Sequence, residues 1–361
     1  MAKTSDDMRA AAAASGKACA AVAGRDDSLL ADPSAPGIEL KPDDFAPIAA
    51  GSAAQPEAPD AQQALWRRMA AVFLSNKIAV VALVLLVVVA LFGFVGPLFT
   101  DVSYDQVFRG EEKLTPCLAH PFGTDSMGRD LLVRCMYGVR ISLLVGIVTA
   151  VAVLVIGTAY GAVSAWCGGK VDLVMMRLVE IIESLPAQLV VLLMAISLKT
   201  PIDSLFDSLP PSFFTQMGSG MVCILIAFSL LYWTGMARIV RGSIFQLKNE
   251  GYAMAARSMG AKGPRVVWSH LLPNSMDVII VNVTQSIRGA IFAEAFLSFI
   301  GMGVSVPMAS LGTLINNART DMMLYPYQMI EPVILIFVIT WALYVIGDAV
   351  QDALDPRMQQ Q

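Results

Sequence analysis

Between Ile78 and Phe99, and again between Ile141 and Trp166, the chain runs without a single charged residue. About 20 consecutive apolar residues let an α-helix cross the hydrocarbon of a bilayer, where only helices and closed barrels leave no backbone group unpaired. Four further apolar stretches follow: Met175 to Leu198, Met221 to Ala237, Val278 to Ile300 and Pro332 to Gly347. Six spans are therefore expected, and the fold class is an all-α integral membrane protein. Composition agrees, with 56% hydrophobic and only 15% charged residues, where a soluble protein carries about a quarter charged.

The charges that remain lie mostly between the spans. Residues 1–60 hold five Lys/Arg against ten Asp/Glu, amid Ala, Pro and Ser. With no sustained apolar period, this stretch cannot bury enough surface to offset its ordering entropy, and a disordered acidic tail is expected. It lacks a short apolar core behind a basic start, so no signal peptide is expected. Residues 61–77, chiefly Ala64 to Lys77, read as a basic amphipathic helix on the membrane surface. Arg67, Arg68 and Lys77 precede the first span. Lys170 and Arg177 follow the second, and Arg238, Arg241, Lys248, Arg257, Lys262 and Arg265 follow the fourth. This alternation is expected to place both termini in the cytoplasm, with Arg129, Arg134 and Arg140 among the outer charges that count against it.

The first span, residues 78–99, is expected to be followed by an outer loop at 100–140. Asp125, Arg129 and Asp130 could form an ion-pair and capping network there, at the start of the following helix. The core of five spans then runs over 141–358. Cys117 and Cys135 share the outer loop, so two readings stand: a disulfide between them, or small unpaired side chains like Cys19, Cys167 and Cys223. Gly157 and Gly161 have the spacing of a close helix crossing. Cys167-Gly-Gly-Lys170 reads as a turn; Ser164 and Val171 break any phosphate-loop pattern, and no such motif occurs elsewhere. Lys199 to Gly220 reads as an outer loop broken by Pro201, Pro210 and Pro211, with a short interfacial helix in its Ser-Leu-Pro-Pro-Ser-Phe-Phe section.

Charges inside the spans are the candidate interior groups. Glu180 and Glu183, three apart on one helix face of the third span, should face protein or water, as should Arg288 and Glu294 in the fifth. For each, an interhelical or interfacial contact and a place on a translocation pathway remain alternatives.

The segment from Glu250 to Asn274, inside a basic loop at 238–277, is different in kind. Tyr252, Ala255, Ala256 and Met259 fall at i, i+3, i+4 and i+7, one stripe of a short helix, and mostly small residues there suit a tight groove. Gly260 can end that helix in a left-handed conformation, Pro264 can open the next at its first position, and Pro273 closes the segment.

The spacing Ala255-Ala256, three residues, Gly260, then Leu272-Pro273 resembles the EAA loop of membrane subunits of ABC importers, with Met254 where the family carries Glu. His270 and Asn274 give an H-L-L-P-N form similar to the oligopeptide/dipeptide/nickel permeases. HPFGTDSMGRD (His120 to Asp130), EAFLSFIGMGV (Glu294 to Val304), PMASLGTLINNA (Pro307 to Ala318) and GDAVQDALDPRM (Gly347 to Met358) resemble the C-type oligopeptide branch, with Gln351 replacing a usual Arg. The resemblance implies a type I importer transmembrane domain in a bacterial cell membrane, and a peptide cargo. It implies a coupling role for Glu250, Tyr252, Ala255, Ala256, Arg257, Met259, Gly260, His270 and Pro273. It also implies a second permease subunit, two ATPase subunits carrying ATP and Mg, and an extracytoplasmic peptide-binding protein. This chain itself is expected to bind lipid but no cofactor, metal or nucleic acid, and to catalyse nothing. A permease for nickel or another small solute is the alternative. A membrane-embedded enzyme is a third reading; His120 and His270, in loops on opposite sides, cannot share a metal for it.

Overall fold

Asn76 starts the first span: its side-chain oxygen accepts hydrogen bonds from the backbone of Ile78 and Ala79, leaving the chain helical from the next residue. The computed structural model describes residues 70–208, 210, 218–303 and 308–354. The expected tail at 1–60, the start of the surface helix before Ala70 and most of the section around Pro211 lie outside the described residues. Residues 70–75 are helical, in line with the end of the surface helix.

All regular elements among the described residues are helices. α1 is Lys77–Phe94, and a 3-10 turn at Gly96–Phe99 ends the span. α2 (Leu131–Ala152) passes through a π turn at Val153–Gly157 into α3 (Thr158–Cys167). α4 is Gly169–Glu183, α5 Ala187–Ser208, α6 Ser219–Leu231 and α7 Trp233–Leu247. The segment between the fourth and fifth spans contains α8 (Gly251–Ser258), α9 (Gly263–Val266), a π turn at Val267–Leu271 and α10 (Leu272–Asn274). α11 (Met276–Phe299), α12 (Leu311–Ala318) and α13 (Tyr327–Leu354) complete the order. Six stretches are long and apolar enough to cross a membrane: Lys77–Phe94, Leu131–Cys167, Ala187–Ser208, Ser219–Leu247, Met276–Phe299 and Tyr327–Leu354.

Glycines set how closely these helices approach. A Cβ on Gly161 would come 2.3 Å from the Ala237 carbonyl oxygen, and one on Gly157 would come 2.6 Å from Met236 Cβ, so α3 crosses α7 nearly backbone to backbone. The 157/161 spacing therefore marks a real helix crossing. α11 packs against α2 and α13, while α1 lies across both of those. One apolar cluster joins Ile141, Val191, Ile224, Phe228 and Ala290, filling the space between α2, α5, α6 and α11. Another joins Val153, Val240 and Ile244 of the spans to Ala253, Ala256, Val266 and Leu271 of the segment after α7. That segment is thus part of the packed body.

Several expected boundaries move. The second span begins at Leu131, ten residues before its expected start at Ile141, because Asp130 caps it by accepting from Val133 N. The charges that made 131–140 look like a loop are accommodated: Arg140 lies 5.5 Å from the Phe94 ring and 5.6 Å from Tyr137. Cys135 consequently sits fully buried on α2 while Cys117 is exposed in the loop, and both are free thiols. Of the two readings, the unpaired one describes the structure.

The expected third span is two helices. α4 ends at Glu183, the chain bends through Pro186, and only α5 is apolar enough to span. Pro201 does not end α5; the helix continues to Ser208, with Ile202 packed in the same cluster as Val191 and Ala195. Pro332 likewise lies within the first two turns of α13, which extends unbroken past Gly347 to Leu354.

Candidate functional site

Glu250 enters α8 with extended backbone (φ −68°, ψ 151°), and its carbonyl accepts from Ala253 N at 3.0 Å and Met254 N at 3.1 Å. Its side chain makes no capping bond. The eight residues of α8 divide into two faces. Ala253 and Ala256 are buried in the cluster built on α7; Tyr252, Met254, Ala255 and Met259 are exposed, Met259 at 83%.

This splits the expected stripe. Ala256 is not offered outward with Tyr252, Ala255 and Met259; it is 4% exposed and turned into its own chain. A residue four positions from Tyr252 sits about 40° further round the helix, enough here to cross from rim to core. The small side chains at 253 and 256 let α8 lie close on the body, and the larger ones project away.

Gly260 has φ +85°, a conformation in which a side chain is strained. Ala261 N then reaches back to Ala256 O (3.0 Å) and Gly260 N to Arg257 O (2.9 Å), satisfying two carbonyls at the end of α8. Pro264 falls within the first two positions of α9, after Lys262. The Arg257 guanidinium lies 4.6 Å from the Trp166 ring at the end of α3. His270 is half-buried in the π turn, and the exposed Pro273 opens α10 rather than closing the segment.

Sequence reasoning missed the groups that hold this corner. Arg241 of α7 donates through two nitrogens to both carboxylate oxygens of Asp172 on α4, at 2.5 Å each. Ser164 Oγ of α3 donates to Asp172 Oδ1 at 2.6 Å. The Arg241 pair holds the Asp172 carboxyl below the usual range, and Ser164 adds to it. Lys248 Nζ donates to the Ala165 carbonyl at 2.9 Å, near the C-terminus of α3. Asp172 and Arg241 are 69 positions apart, so no local spacing announced them.

The four candidate pathway residues do not converge. Glu180 and Glu183 are exposed at the end of α4, outside any span, paired with Arg177 (2.7 Å) and Arg238 respectively. The expectation of two deep carboxylates is corrected by the break at Pro186. Half-buried Arg288 lies over Tyr344, 5.2 Å from its centroid. Glu294 is completely buried and accepts from Ser142 Oγ of α2 at 3.0 Å, an interhelical tie, and from Ser298 Oγ one turn along α11 at 2.7 Å.

At the opposite end of the bundle, the expected loop network is present. Arg129 Nε donates to Asp125 Oδ2 at 2.8 Å while Asp130 caps α2. His120 bridges Asp130 (Nδ1, 2.7 Å) and Glu111 (Nε2, 3.0 Å). The Asp130 contact, with Glu111 adding to it, raises the His120 pKa above the ordinary imidazole range.

A packed helical bundle with a short two-faced helix at one end fits more than one kind of membrane protein. The decisive comparison is that residues 143–360 match the family of binding-protein-dependent transport system inner membrane components. This chain belongs to that family. Residues 64–116 also match the N-terminal transmembrane domain of oligopeptide transport permease C. Among relatives, the oligopeptide transport system permease protein OppC of Bacillus subtilis is 35% identical over 315 residues, spanning 87% of this chain and 97% of the relative. The dipeptide transport system permease protein DppC of the same organism is 37% identical, spanning 82% of this chain and 86% of the relative. OppC of Escherichia coli K12 is 36% identical, spanning 82% and 92%. As an inner-membrane transport component, the chain is a transport subunit rather than an enzyme. In such a component the exposed ridge of α8 is the surface to consider for contact with other subunits.

Proposed function

We propose that this chain is a pore-forming permease subunit of an ATP-driven peptide importer, with α8–α10 as the segment that receives force from a separate ATPase subunit. The observation that carries the reading is the two-faced α8. Its alanine face is fixed to the span cluster, while Tyr252, Met254 and Met259 stand exposed beside it. A surface that passes motion inward needs both properties: firm attachment to the spans and an outer face for a partner. Arg257 on Trp166 ties α8 to α3, and the Asp172–Arg241 pair braces α4 against α7.

Family membership and the names of the peptide-transport relatives support the cargo class. In this reading a second permease subunit completes the pathway, two ATPase subunits bind ATP and Mg, and an extracytoplasmic binding protein delivers the peptide. The basic residues Arg238, Arg241, Lys248, Arg257, Lys262 and Arg265 support a cytoplasmic side for α8 and both termini in this reading. ATP binding closes the ATPase pair, draws the coupling segments together and rocks the spans between inward- and outward-open states. Cargo shifts that equilibrium only by its different affinity for the two states.

Co-expression with candidate partner permease and ATPase subunits, detergent purification and reconstitution test this. The expected result is that an ATP-hydrolysing subunit co-purifies and that vesicles take up peptide only with ATP. Peptide uptake by this chain without any ATPase would overturn the reading.

A further inference from the structure

At the end of the bundle away from α8–α10, where α2 begins and α11 ends, a cavity of about 570 Å³ opens between α2, α5, α11 and α12. Arg134, Lys199, Thr313, Asn316 and Asn317 line it, and among the described residues no Asp or Glu does. Arg134 is 2% exposed. Its NH1 lies 3.2 Å from Asp125 Oδ2, yet among the described residues neither Nε nor NH1 completes a hydrogen bond.

Asp125 is already engaged. Its Oδ2 accepts from Arg129 Nε, and its Oδ1 accepts from the backbone of Met127 (2.8 Å) and Arg129 (3.0 Å). The nearby Asp130 serves His120 and the cap of α2. Two buried guanidiniums therefore share one carboxylate, and Arg134, the less fully bonded of the two, is among the residues that line the cavity. A buried cation with unused donors is costly until an acceptor arrives, and the guanidinium fork matches a carboxylate. Lys199 adds a second positive charge, and the side-chain amides of Asn316 and Asn317 add neutral donors.

We propose that this cavity is a carboxylate site that receives the C-terminal carboxylate of a peptide as it enters the pathway. The proposal rests on the reading of the chain as a peptide permease. The volume falls within the range of small-ligand pockets, about 300–1,000 Å³. The apolar remainder of the lining, including Ala195, Ile196 and Met308, makes no demand on side-chain chemistry. A site of this kind recognises what every unmodified peptide shares.

The test uses the whole complex in vesicles of phosphatidylcholine, with and without phosphatidylglycerol, and compares uptake of tetra-alanine with its C-terminal amide. The free acid is expected to be favoured, and Arg134→Met or Lys199→Met should shrink that preference roughly tenfold, the scale of one charged hydrogen bond. Lys199 is exposed, so its variant remains informative if Arg134→Met fails to assemble with the ATPase subunits. An unchanged acid-to-amide ratio in the assembled variants overturns the site. A variant effect seen only with phosphatidylglycerol assigns it to a lipid headgroup and overturns it too. Absence of any peptide uptake by the unmodified complex removes the permease reading itself, a result distinct from either.

Discussion

The Arg257 guanidinium and the Trp166 ring lie 4.6 Å apart, and the same ring abuts Gly263, where an added Cβ would come 2.6 Å from its Nε1. One aromatic side chain at the end of α3 therefore fixes both the end of α8 and the start of α9. Cation–ring contacts contribute about 0.5–2 kcal/mol depending on desolvation. Arg257→Ala should loosen α8 by that order, and Trp166→Ala by more, since it also vacates the space beside Gly263. Amide hydrogen exchange should quicken in residues 251–263 while α1 and α13 stay protected; unchanged exchange in α8 would remove the clasp.

The crossing of α3 and α7 makes a sharper prediction. A Gly161→Ala methyl would meet the Ala237 carbonyl and the Arg241 backbone nitrogen, and backbone cannot swing aside. We expect a loss of about 1–3 kcal/mol, read as a lower melting temperature in detergent. Gly235→Ala, where nothing lies within 4 Å, is the control. It should be neutral or slightly stabilising, because Ala favours helix over Gly by about 1 kcal/mol.

Glu294 is expected to behave as a structural tie. Glu294→Gln keeps an oxygen and adds an amide donor for the Ser142 and Ser298 hydroxyls. Glu294→Leu strands both hydroxyls at about 1–3 kcal/mol each. Uptake should survive the first change and fall with stability in the second. Lost uptake in a fully stable Glu294→Gln protein would return this carboxylate to the pathway.

The loop clasp around His120 should depend on pH. Its folded pKa is raised above the unfolded value of about 6.5 by Asp130 and Glu111. Its contribution is therefore complete below that unfolded value and is lost as pH rises through the higher folded one. Proteolysis of the 101–130 loop should accelerate over that interval, and His120→Gln should flatten the dependence. A loop equally resistant at both ends of the range would contradict this.

How much of this was legible in the sequence follows from the range of each interaction. Uncharged runs of span length, the Gly260 cap and the Asp125–Arg129–Asp130 network are local, and local patterns survive in one dimension. The start of α2 at Leu131 was hidden because Arg134 and Arg140 resemble loop residues until their partners, Asp125, Phe94 and Tyr137, are in place. The facing of Ala256 depended on which side of α8 meets Val240 and Ile244, residues on another helix. Asp172 with Arg241, and Ser142 with Glu294, join positions 69 and 152 apart, and no spacing rule reaches that far.

The central claim is that the outer ridge of α8 meets an ATP-hydrolysing partner. Met259, 83% exposed at the end of that ridge, is the place to test it. With Met259→Cys carrying a short photo-crosslinker in the purified complex, irradiation should attach the ATPase subunit. The same probe at the buried Ala253 should attach nothing but this chain. Crosslinks from Met259 that capture only lipid or this chain, in a complex that still consumes ATP and imports peptide, would contradict the account.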